Sequence, residues 1–171
     1  MLRFFIIFLV IQGVLFTLEM LQPVRVLFVI PFTEMIAHMS AWIVQLFDSG
    51  VISQGILLQD RKTGFAVSIE SGCNGIEAAL VLIAAILAYP APWRHKLIGI
   101  IAGLLAIQLL NLARIISLFY LGQWNQQAFE WAHLYVWQGL IMLDALIVFL
   151  VWLKTIPQER ESAGPERNET A

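Results

Sequence analysis

The stretch Lys96-Leu97-Ile98-Gly99-Ile100-Ile101-Ala102-Gly103-Leu104-Leu105-Ala106-Ile107-Gln108-Leu109-Leu110-Asn111-Leu112-Ala113-Arg114-Ile115-Ile116-Ser117-Leu118-Phe119-Tyr120-Leu121-Gly122 decides the fold. It exceeds the roughly 20 residues that a membrane-spanning helix needs. Its first half is hydrocarbon, and its second half carries Gln108, Asn111 and Arg114. The rest of the chain has the same character. Of 171 residues, 60% are hydrophobic and 13% charged, and the mean hydropathy is +0.80. A soluble domain of this size would have to expose much of that surface to water and would aggregate. The formal charge of −2 leaves no nucleic-acid footprint. One cysteine rules out an internal disulfide, and the Cys/His spacings fit no standard zinc site.

Working outward, Asn74 to Tyr89 is a second apolar segment, closed by Tyr89-Pro90-Ala91-Pro92 because proline opposes helix continuation. Trp131 to Lys154 is a third. Phe4 to Leu21 is a fourth, interrupted only by Gln12 and Glu19, with no small-residue cleavage site after it. Val24 to Phe47 is broken by Pro31, Glu34, His38, Ser40 and Gln45, which predicts an interfacial or half-inserted helix. Between Asp48 and Ile69, Val51–Leu58 and Phe65–Ile69 flank a turn-like Gln59–Gly64, predicting a short β-hairpin outside the membrane.

Charge orients the segments. Arg94-His95-Lys96, Lys154 and Arg3 all favour the cytoplasmic side. The expectation is an all-α polytopic membrane protein with four spanning helices, one interfacial helix and an extracytoplasmic hairpin. Residues 1–156 form one membrane-embedded domain, and the charged tail 157–171 is expected to be disordered and cytoplasmic.

In that frame Cys73, Arg114 and His133 converge on the outer side. Cys73 lies in Ser71-Gly72-Cys73-Asn74-Gly75-Ile76-Glu77, where polar sequence turns apolar. Arg114 sits eight residues before Gly122, roughly 12 Å below that helix end, and can snorkel outward. His133 opens the last span. A thiol at a helix N-terminus or beside a cation has a lowered pKa, so Cys73 is expected to be an activated nucleophile. His133 suits a general base and then acid, and Arg114 an anion stabiliser. Gly72 and Gly75 permit close approach of a substrate, and amides near Asn74 offer oxyanion donors. Acyl transfer through a thioester is the natural reaction.

Bland readings stand beside these. A lone membrane cysteine is more often an inert hydrophobe, and His133 among Trp131, Tyr135 and Trp137 fits an interfacial aromatic belt equally well. A deep arginine needs a partner. Glu77 is the obvious one, which makes a structural ion pair its leading role, and Asn111 is placed one turn from Arg114 to orient it. Asp144 is read as structural, His38 with Glu34 as interfacial, and His95 as a loop residue.

Gly72-Cys73-Asn74-Gly75 opening a helix, Asn111-Leu112-Ala113-Arg114 within a span, and His133 opening the last span together resemble the exosortase/archaeosortase family. The resemblance covers Ser68 to Trp152 and points to a compact subtype such as exosortase H. It implies a cysteine protease or transpeptidase of the bacterial inner membrane, with Cys73, Arg114 and His133 catalytic. The partners it implies are exported proteins whose C-terminal sorting signal combines a motif, a membrane helix and a basic end. No metal and no cofactor is expected. A reading from another class is a small transporter or assembly factor with a structural Arg114–Glu77 pair. A membrane redox or metal protein is a weaker third, given the single thiol and the scarcity of other ligands.

Overall fold

The computed structural model describes residues 2–156; the tail expected to be disordered, 157–171, lies outside them. The elements in order are α1 (Leu2–Met20), α2 (Gln22–Gln45), β1 (Val51–Gln54), β2 (Leu57–Asp60), β3 (Ala66–Ser68), α3 (Ile76–Ala88), α4 (Trp93–Trp124) and α5 (Gln126–Thr155). This is an all-α multi-pass membrane fold carrying one small antiparallel sheet.

Local chemistry sets most boundaries. Leu21 adopts extended backbone between α1 and α2, and Pro23 stands in the first turn of α2, where its missing N–H costs nothing. Tyr89 becomes extended ahead of Pro90, which ends α3. Asn125 separates α4 from α5, and its side chain accepts the Ala128 amide at 3.0 Å as an N-cap.

Two hydrophobic clusters divide the molecule. The first, a bundle, unites α1, α3, the first half of α4 and most of α5 around Leu82, Ile86, Ile107, Ile141 and Trp152. The second, a cap, joins α2, the sheet and the far half of α4 around Ile36, Val44, Leu58, Ile115 and Phe119. Helix α4 belongs to both because its 32 residues span about 48 Å, well beyond a hydrocarbon core of about 30 Å. Gly99 and Gly103 let α4 close on the bundle, since a Cβ there would collide with Trp152 and Leu82.

By length and apolarity α1, α2, α4 and α5 are the four helices able to cross a membrane. Helix α3, expected among the crossings, has 13 residues, about 20 Å of rise. Helix α2, expected at the interface, is long enough to cross but packs on the cap. By length and apolarity the four helices able to cross therefore differ from the expected set, with α2 in place of α3. Arg3, Arg94, Lys96 and Lys154 gather at one end of the bundle, whereas Arg25, Arg61, Lys62 and Arg114 lie toward the sheet and the Cys73 loop. Phe4 touches Tyr89 and Phe149, the Trp152 indole donates to the His95 carbonyl, and the Lys96 ammonium donates to the Leu87 carbonyl. Leu97, Ile101, Leu105, Leu146, Leu150 and Val151 point outward, as lipid-facing side chains do.

The expected hairpin is a three-stranded meander, ordered β1-β2-β3. The apolar run Val51–Leu58 folds back on itself at Gly55, whose φ of 58° suits a two-residue hairpin loop; Gln54 pairs with Leu57. The expected turn after β2 is present. The buried Asp60 carboxylate accepts the Lys62 amide and the Thr63 hydroxyl, both at 2.8 Å. His38 is tied into the cap through Ser53, whose Oγ lies 2.6 Å from its Nδ1.

Candidate active site

The loop from Glu70 to Gly75 joins the sheet to α3 and presents Cys73 at the seam between cap and bundle. It is built on glycines. Gly72 and Gly75 have φ of 87° and 79°, a region that side chains with a Cβ rarely enter. Gly75 is also pressed on α4, where an added Cβ would lie 3.0 Å from Gln108 Nε2 and 3.2 Å from Asn111. Asn74 is fully buried and closes the start of α3. Its Oδ1 accepts the Ile76 amide at 3.0 Å and its Nδ2 donates to Thr33 Oγ1 on α2 at 3.0 Å. Glu77, on the first turn of α3, accepts the Gly72 amide at 2.6 Å.

Three side chains from separate elements meet at this loop. Arg114 is 1% exposed; its Nη1 donates to the Gly72 carbonyl at 3.4 Å and its Nη2 reaches Cys73 Sγ at 3.6 Å. His133 Nε2 lies 3.8 Å from the same sulfur. The histidine sits in a π-helical turn, Ala132–Val136, which displaces it from the α-helical register of α5. Phe129 stacks on its ring at 5.7 Å, with planes 3° apart. Beside them lies a cavity of about 270 Å³, lined by β3 and Glu70, by Gln126, Phe129 and His133, and by Cys73 itself.

The electrostatics differ from expectation in two respects. The Cys73 thiol is pushed above its ordinary range, not below it. Burial is the main cause, Glu77 and Glu70 add to it, and Arg114 only partly opposes it. Cys73 is also three residues short of α3, so it does not occupy the first turn of that helix. The second correction concerns Arg114 and Glu77. They form no ion pair; among the described residues the single salt bridge is Lys62–Asp48. The Glu77 carboxylate is turned to the Gly72 amide instead, and the guanidinium takes the other side of the loop.

The weaker candidates have specific places. Asn111 does not hydrogen-bond Arg114; its Nδ2 faces Gln108 Oε1 at 3.5 Å and its side chain backs Gly75. Asn74 supports the loop from beneath. Asp144 is remote from the site on α5, with Oδ2 buried and without a hydrogen-bond partner among the described residues. Two partners escaped the sequence reading. Phe129 lies one helical turn before His133, a spacing that could have marked it; Thr33 carried no signal in the sequence.

The arrangement can do nucleophilic chemistry: a thiol faces a base on one side and a permanent cation on the other, at the edge of a cavity. A family model described as transmembrane exosortase (EpsH type) matches residues 1–153, which takes in the N-terminal third that no short motif had reached. No curated protein and no solved structure matches the chain.

Proposed function

The chain belongs to the transmembrane exosortase family, and on that premise we propose that it is a membrane cysteine transpeptidase or protease that cleaves C-terminal sorting signals of exported proteins. One observation carries the reading: Cys73 Sγ lies within 4 Å of both His133 Nε2 and Arg114 Nη2, although the three come from different parts of the chain.

Burial outweighs the arginine and raises the Cys73 pKa, so the reaction starts from the thiol. Its proton passes to His133 Nε2 as Sγ attacks the scissile carbonyl. The present 3.8 Å separation is one that tightens when substrate fills the site. The S–C bond forms, and the carbonyl oxygen becomes an anion facing Arg114, whose buried Nε–H has no hydrogen-bond partner among the described residues. Among the described residues no hydrogen bond engages the Asn74 or Gly75 amide, which leaves both available to the same oxygen. Collapse breaks the C–N bond, and His133 returns the proton to the departing amine. Water or an acceptor amine then attacks the thioester, again through His133, and restores the thiol.

The basic end of the bundle holds Arg3, Arg94, Lys96 and Lys154, opposite Cys73. The positive-inside rule assigns that end to the cytoplasm and the site to the extracytoplasmic face of the inner membrane. A substrate whose membrane helix lies alongside the bundle, basic end inward, would bring the segment above that helix to Cys73.

The test is Cys73→Ala in intact cells. Exported proteins with such signals should accumulate uncleaved while the variant stays at normal level in the membrane. Normal processing by that variant would end the proposal. A membrane-impermeant maleimide should label Cys73 from outside; labelling only after permeabilisation would reverse the orientation.

A further inference from the structure

The outer edge of β3 is unpaired and opens on the cavity that holds the thiol. In the β2–β3 ladder the Asp60 amide donates to the Phe65 carbonyl and the Ile69 amide to the Ile56 carbonyl. Ser68 pairs with Leu57, Val67 with Leu58 and Ala66 with Gln59. Antiparallel strands alternate their hydrogen-bonding direction, so Val67 bonds inward while Ala66 and Ser68 turn both N–H and C=O away from the sheet. Among the described residues the strand order β1-β2-β3 puts no further strand there. Ala66, Val67 and Ser68 line the same cavity as Cys73 and His133.

Exposed strand edges are normally blunted by charge, proline or a bulge, because they template pairing with another chain. This one is short, and its own residues are small and uncharged. Ala66 and Ser68 are exposed, Val67 packs inward on the cap, and the Ser68 hydroxyl donates to the neighbouring Glu70 carboxylate at 2.6 Å. A row of outward amides and carbonyls complements one chemical partner above others, the backbone of an extended peptide. Gln126, Phe129 and His133 of α5 line that cavity together with β3.

We propose that the substrate binds as a fourth strand on β3, its backbone hydrogen-bonded to Ala66 and Ser68, and that this pairing delivers the scissile carbonyl to Cys73. The inference rests on the peptidase reading above and names how that site takes its substrate. Main-chain pairing holds the segment irrespective of most side chains, and selectivity is left to those that enter the cavity. One enzyme could in this way accept many exported proteins that share a short motif.

The experiment uses the full chain in its native membrane and has two parts. First, Ala66→Pro removes one outward N–H without touching a bond to β2, whereas Ala66→Val keeps it. Processing of the precursor that accumulates with Cys73→Ala should be roughly tenfold slower for Ala66→Pro than for Ala66→Val, which adds comparable side-chain bulk but keeps the N–H. Maleimide labelling of Cys73 checks that the site is intact in both variants. Second, a photo-crosslinking phenylalanine at Ser68, with Cys73→Ala, leaves the backbone unaltered. It should capture that same precursor through the segment just above its membrane helix, and the same group at Thr63 should not. Normal processing by an intact Ala66→Pro variant would overturn the edge proposal while leaving the peptidase reading standing. So would a crosslink from Ser68 to a second copy of this chain, or none to the precursor. Normal processing by Cys73→Ala would instead bring down the peptidase reading itself.

Discussion

Glu77 accepts the Gly72 amide at 2.6 Å across five residues of chain, and that bond holds the turn from which Cys73 projects. The carboxylate thus acts on the loop backbone and not on Arg114. Its charge also has a cost, because it helps to raise the Cys73 pKa. Geometry and electrostatics oppose each other in one side chain.

Glu77→Ala and Glu77→Gln separate the two effects. Alanine deletes the acceptor and should slow processing by an amount equivalent to about 1.5–3 kcal/mol, the range for hydrogen bonds to charged groups. Glutamine keeps an acceptor oxygen and should restore most of the rate. In both variants the pH profile of Cys73 alkylation should move to lower pH, since a negative charge that disfavours the thiolate is gone. An unmoved profile would show that Glu77 has no electrostatic hold on the thiol.

Arg114 pulls the other way. In the native chain the alkylation midpoint of Cys73 should lie above the roughly 8.5 of an unhindered thiol, because burial dominates. Arg114→Gln removes the one cation that lowers it, so the midpoint should rise further and processing should fall to the level of Cys73→Ala. Arg114→Lys keeps the charge but not the fork that spans the Gly72 carbonyl and the sulfur. It should hold the midpoint nearer to the native value while processing stays low.

The two left-handed glycines should differ. Gly72→Ala places its Cβ in open space and carries only the conformational penalty, about 1–2 kcal/mol. Gly75→Ala adds a steric conflict with Gln108 and Asn111, so its thermal unfolding temperature in detergent should drop further. Equal shifts for the two would show that α4 yields easily behind the loop.

Gly103→Val probes the bundle rather than the site. A side chain there meets Leu82 and Val148, and overpacking of this kind costs about 1–3 kcal/mol. The variant should unfold at lower temperature, yet once folded its Cys73 alkylation profile should match the native one. A changed profile would mean that the site senses bundle packing.

Legibility varied with how local the cause was. The multi-pass class and the long apolar helices could be read directly, as could the stops at Pro90 and Pro92. Each depends on a run of residues or on a single backbone-restricting one. The fold at Gly55 was equally local, but it lay inside an apolar run that also reads as one continuous strand. The membership of the bundle needed more than length: α3 is short and α2 is long, and packing alone sorts them.

The sequence by itself determined that this chain lives in a membrane and that Cys73, Arg114 and His133 are its chemically able residues. Hydropathy and residue chemistry are properties of the chain and need no fold. Tertiary structure decided that these residues meet, across separations of 41 and 60 positions. It also decided that Glu77 clamps the loop, and that burial pushes the thiol pKa above its ordinary range. Desolvation depends on walls contributed by the sheet, α4 and α5 together. No stretch of sequence carries that information, because the burial of one atom is set by whichever distant segments close over it.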